Sequence, residues 1–181
     1  MSELRSPSYW VGHLMVLVAT VLGVYLAATA GFSQALKLDL LQSDRGTYYV
    51  AESLYQELNF NNTNMEGYLE RAKDKQNVFK EHIAGIRLNE FIFNTAQESD
   101  STFEIDPGLL SEVSNYYFNT GNAVDNYYAT GMQSPAALMA VVKRETEKLK
   151  TQETLDRLAN YNSKLAKDLN DRGMPITRAQ D

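Results

Sequence analysis

The chain has 181 residues, no cysteine and a formal net charge of −6. Lacking thiols, it can form no disulfide, thiolate nucleophile or Cys-based zinc or iron–sulfur site. Of its 17 basic and 23 acidic residues only Arg5 and Glu3 precede residue 33, so residues 33–181 form one acidic domain's worth of chain that repels phosphate backbones, and no nucleic acid partner is expected.

Ser6-Pro7 reads as an N-cap followed by proline at the first helical position. From Tyr9 to Phe32 there is no Asp, Glu, Lys, Arg, Asn or Gln, and at ~1.5 Å per helical residue this stretch covers a bilayer core of ~30 Å. A transmembrane helix over 9–32 follows, with 1–8 as a short cytoplasmic N-terminus. Tyr9 and Trp10 suit an interfacial aromatic belt, and His13 in the first turns suits snorkelling to the interface. Arg5 and the free amine on the near side, against mixed charges (Lys37, Asp39, Asp44, Arg45) on the far side, favour the N-terminus inside. The expected location is an inner (cytoplasmic) membrane, with the C-terminal domain periplasmic or extracellular. Ala28-Thr29-Ala30 also fits a signal-peptidase site, which would make a cleaved, secreted helical domain, but the apolar run exceeds the ~7–15 residues of a signal h-region. Ala19, Gly23, Ala27 and Gly31 recur every fourth residue, so one helix face offers small side chains on which a partner helix, foreign or a second copy, can pack closely.

Residues 33–171 read as an extracytoplasmic helical bundle and 172–181 as a flexible tail. The first bundle helix continues to about Phe60, on the seam Leu36, Leu40, Ser43, Thr47, Val50 and Leu54. Asn59 to Asn64 is expected to turn, with Thr63 to Glu66 as a capping box that starts a second helix reaching about Gln97. Its seam is Met65, Leu69, Ala72, Gln76, Phe79, Ile83, Ile86, Glu90 and Phe93. Glu98 to Asp106 is a loop. Asp106-Pro107 then starts a third helix to about Thr130 on Leu110, Val113, Tyr117, Thr120, Val124 and Tyr127, with Gly131 as its C′ residue. Ser134-Pro135 starts the fourth, to about Asp171, on Leu155, Leu158, Asn162, Leu165 and Leu169, before Gly173 and Pro175 end it. The expected fold class is all-α: one N-terminal transmembrane helix and an antiparallel four-helix bundle.

Spacing speaks against a catalytic or metal centre, and neither cofactor nor enzymatic activity is expected. A bundle diiron site wants Glu-x-x-His, but Phe79 stands where His82 would need the Glu. A Ser-His-Asp set would depend on His82 alone, between Lys80 and Glu81, and no Gly-rich phosphate loop occurs. The polar seam residues Ser43, Thr47, Gln76 and Glu90 need hydrogen-bond partners or solvent, and a register-fixing polar layer is the simplest use. Arg87 stands at ion-pairing distance in sequence from Glu90. Asn61-Asn62-Thr63 matches a glycosylation sequon.

Tyr116-Tyr117 and Tyr127-Tyr128 are spaced by about three turns and form an aromatic stripe along one helix face. Tyrosine buries area while keeping a polar tip, so the stripe suits core packing first, then a protein interface, then a small-molecule pocket with Arg87 and Glu90.

The pattern Asp106-Pro107-Gly108-Leu109-Leu110, Tyr116-Tyr117, Val124-Asp125-Asn126-Tyr127-Tyr128 and Gly131, followed by a long Leu-spaced helix, resembles extracytoplasmic helical-bundle sensor regions of bacterial transmembrane receptors over residues 106–170. The resemblance implies a periplasmic bundle that senses a small molecule or a binding protein. It departs where such receptors return through a second membrane helix, since Asn170 to Asp181 is polar. The leading expectation is a non-enzymatic accessory or regulatory subunit of a membrane protein complex, bound through its membrane helix and bundle, with lipid and a membrane protein or itself as partners. The alternatives are an extracytoplasmic sensor with a small-molecule ligand and the cleaved secreted domain.

Overall fold

The structure, a computed structural model, describes residues 7–73, 86–130 and 134–176. It is all-helical: α1 (Pro7–Arg71), α2 (Phe91–Gln97), a 3-10 turn (Asp100–Glu104), α3 (Pro107–Asp125) ending in a π-helical turn (Asn126–Thr130), α4 (Pro135–Thr151) and α5 (Thr154–Asp171). No strand occurs among the described residues. The chain forms two compact units, Met1–Gln42 and Ser43–Asp181.

In the first unit α1 is long and apolar enough to cross a membrane, and none of its most apolar stretch is buried within the protein. Thr20 donates to the Val16 carbonyl at 2.8 Å and Thr29 to the Tyr25 carbonyl at 3.0 Å. Both hydroxyls are thus satisfied inside the helix, as a hydrocarbon surrounding demands.

In the second unit the predicted cap-plus-proline starts are realised. Asp106 Oδ1 accepts from the Leu109 amide at 2.9 Å ahead of Pro107, and Ser134 Oγ accepts from the Ala137 amide at 3.2 Å ahead of Pro135. Each such cap contributes about 1 kcal/mol. The break expected at Asn59 to Asn64 is absent. Thr63 donates to the Asn59 carbonyl at 2.9 Å as a mid-helix residue, and α1 runs on to Arg71. The reason is tertiary: Leu54, Leu58, Met65 and Tyr68 lie on one buried stripe, and a turn would divide it. The expected second helix is present only in part. Residues 86–90 are non-helical, α2 is seven residues long, and Gln76, Phe79, His82 and Ile83 lie outside the described residues, as does Gly131. The fourth helix is broken in two where Glu153 takes a left-handed conformation (φ 51°), and Gly173 (φ 84°) ends α5 as expected.

Three apolar clusters hold the unit. One joins Ala51 of α1, Ile105, Leu109 of α3 and Leu158 of α5. The next joins Leu54 and Leu58, Val113, Tyr116 and Tyr117, and Leu149 of α4. The last joins Met65 and Tyr68 with Ile86, Ala123, Val124, Leu138 and Val142. Segment 86–104 crosses α1 in reverse order: Asn89 bonds Asn61, the Ile92 and Phe93 amides bond Glu57, and Glu104 bonds Thr47 and Ser43.

Candidate functional site

Two regions carry the residues singled out in the sequence. The first is the apolar part of α1. Ala19, Gly23, Ala27 and Gly31 are all exposed, and a Cβ added at Gly23 or Gly31 would meet nothing within 4 Å. The small-residue face is open along its length. Tyr9 packs edge-on against His13, with ring centroids 4.2 Å apart, and against Trp10.

The second region is the aromatic stripe on α3, and its tyrosines are core residues. Tyr116 and Tyr117 are each only 2% exposed, Tyr127 is buried, and Tyr128 is half-buried with its hydroxyl accepting from the Ile86 amide at 2.9 Å. The Tyr117 ring stacks on Phe93 at 4.3 Å and meets Tyr116 edge-on at 5.7 Å. Its hydroxyl donates to Glu57 Oε1 at 3.0 Å and accepts from Asn61 Nδ2 at 3.2 Å. Burial first, and then the Glu57 carboxylate, hold the Tyr117 hydroxyl protonated far above the usual tyrosine range.

Glu57 and Asn61 are the residues that sequence reasoning missed. Glu57 is 4% exposed, and its carboxylate also accepts from the Ile92 and Phe93 amides at 2.7 and 2.9 Å. Asn61 is fully buried; it donates to the Asn89 carbonyl at 2.6 Å and accepts from the Asn89 amide at 2.8 Å. The signal was present: extending the seam Ser43, Thr47, Val50, Leu54 by the same alternation of threes and fours lands on Glu57 and Asn61. The run of asparagines read as a turn hid it. The burial of Asn61 also removes the sequon's acceptor from solvent.

Arg87 is exposed and Glu90 half-buried, and no ion pair joins them among the described residues. Glu90 instead sits over α3, with Oε1 3.1 Å from where a Gly121 Cβ would lie. Burial, then the like charges of Asp125 and Glu57, push its carboxyl above the usual carboxylate range. Of the other polar seam residues, Ser43 and Thr47 bond Glu104, which accepts from them at 2.6 and 2.9 Å, while Gln76 lies outside the described residues.

A cavity of about 110 Å³ opens beside the Tyr116 ring, lined by Glu112, Asn115, Glu145, Lys148 and Gln152. Its carboxylates are already engaged. Glu112 accepts from Thr154 at 2.7 Å and from Arg157 at 2.6 Å. Burial raises the Glu145 carboxyl, but hydrogen bonds from Arg144, Lys148 and Asn119 outweigh it and hold the group below its ordinary range. The Tyr116 hydroxyl has no hydrogen-bond partner among the described residues. No cluster of three or more metal-ligating side chains occurs among the described residues. No family model, curated protein or solved structure matches this chain.

Proposed function

We propose that this chain is a non-enzymatic, single-pass membrane protein that serves as an accessory or regulatory subunit of a membrane protein complex. The observation that carries the reading is the apolar part of α1, long enough to cross a bilayer and unburied among the described residues, with the Ala19, Gly23, Ala27 and Gly31 face open. In lipid, where apolar area gives no drive for helix association, such a face supplies close backbone approach. The N-terminus lies in the cytoplasm, the membrane is the inner one, and residues 33–171 act on the periplasmic or extracellular side. There they form an alternating up-and-down bundle whose second arm is the irregular segment 86–104, a reading supported by the reverse order of its bonds along α1. Gly23→Ile combined with Gly31→Ile should abolish co-purification with the partner from membranes while the chain stays inserted. Unchanged complex formation would refute docking through this face.

A sensing role has the cavity beside Tyr116 in its favour. In a thermal-shift screen of the full-length chain, a specific ligand at 100 times its Kd should stabilise by ~2.7 kcal/mol. A broad screen without a shift, or hits left unaffected when Asn115→Phe fills the cavity, would remove this reading.

A further inference from the structure

We propose that segment 86–97 is a detachable strap, held on the bundle by a buried latch of Glu57, Asn61 and Tyr117, and that it opens as a unit while the long helices stay folded. The strap's apolar grip is one-sided: Ile86, Leu88, Ile92 and Phe93 pack on the core, but only Ile86 of these is fully buried. Of its twelve residues only Ile86 and Ala96 are buried; Leu88, Glu90, Ile92 and Phe93 are half-buried, and the other six, Phe91 included, are exposed. A segment with few buried apolar contacts opens at a fraction of the global unfolding free energy unless polar contacts hold it.

Those contacts converge on α1. Glu57 takes the amides of Ile92 and Phe93, Asn61 takes both backbone groups of Asn89, and Tyr117 of α3 ties the two side chains together. The carboxylate is buried, has no cation paired with it among the described residues, and is compensated by three neutral donors, two of them on the strap. Holding the strap and solvating Glu57 are therefore one event: strap amides replace the water that the carboxylate would otherwise bind. Opening wets Glu57 and bares the stacked face of Tyr117 together with Leu54 and Leu58, giving an apolar strip between α1 and α3.

Amide hydrogen exchange on the full-length chain in nanodiscs tests this. In the wild-type protein, amides 89–97 should exchange at least tenfold faster than those of 113–124 in α3. Glu57→Gln, which removes the charge and turns an N–H donor toward one of the two strap amides, should accelerate 89–97 by a further tenfold or more and leave 113–124 unchanged. Tyr117→Phe, which keeps both strap amides on the carboxylate, should give a smaller acceleration confined to the same residues. Equal protection of strap and α3 in the wild type would overturn the proposal. So would acceleration of both segments by the same factor in Tyr117→Phe, because the strap would then open only with the whole unit.

Discussion

Several buried polar side chains, Thr47, Glu57, Asn61 and Asn162 among them, are bonded to segments distant in sequence. Asn61 is the clearest case, since its carboxamide substitutes for a backbone partner on both sides of Asn89. Asn61→Ala would strand a backbone N–H and a C=O, and a loss of about 2–4 kcal/mol is expected from two unsatisfied groups, read by chemical denaturation. Thr47→Val keeps the shape and removes one donor to Glu104; about 1 kcal/mol should be lost. Glu90 behaves in the opposite sense. Its carboxyl is raised above the ordinary range in the folded state, by burial first and then by Asp125 and Glu57, so the native protein holds that proton more tightly than the unfolded chain does. The stabilising contribution of protonated Glu90 is fully present at pH below its unfolded pKa and is lost as pH rises through its raised folded pKa. Glu90→Gln should therefore stabilise the protein at pH 7–8, and the gain should shrink as the pH is lowered through the raised folded pKa toward the unfolded one; a pH series of denaturation midpoints checks the sign.

At the scale of elements, local signals and tertiary packing divided the work. Where a helix start rested on neighbouring residues, as at Asp106-Pro107 and Ser134-Pro135, the chain's own chemistry decided it and the sequence was sufficient. Where a boundary depended on what lay across the core, the sequence misled. The asparagines at 59–64 carry every local mark of a turn, yet one of them is needed inside the unit and the stripe from Leu54 to Tyr68 keeps α1 whole. Glu90 and Phe93 fitted a heptad, but both lie on the strap rather than on the long helix expected there, because the amides of 92–93 are taken by Glu57. The break between α4 and α5 had no sequence signal at all: Glu153 is the only described non-glycine residue with positive φ. Since a left-handed conformation costs an ordinary residue roughly 1–2 kcal/mol, Glu153→Gly should raise stability by about 0.5–1 kcal/mol despite its greater unfolded-state freedom. A thermal-melting shift of the opposite sign would show that the kink is held by something other than backbone strain relief.

For the molecule as a whole, the all-helical class and the apolar span were legible, because hydrophobic length and periodicity are properties of the chain alone. The candidate site was legible unevenly. The tyrosines lie on α3 and the π-helical turn that follows it, and their burial belongs to the packing of α1, α4 and the strap around them, none of which has a local signature. What distinguishes the chain is the contrast between its two units. From Ser43 on, the described residues bury three apolar clusters, whereas the small-residue face and the most apolar stretch of α1 are exposed among the described residues. Lipid covers such a surface adequately, and a partner helix covers its small-residue face better. The most direct measurement is isolation of the full-length chain from its source membranes in a gentle detergent or nanodiscs, with mass spectrometry of co-purifying proteins and of the intact N-terminus. A stoichiometric membrane partner together with an uncleaved N-terminus is the predicted result. Recovery of the chain alone, or of a form that begins after Ala30, would contradict a membrane subunit.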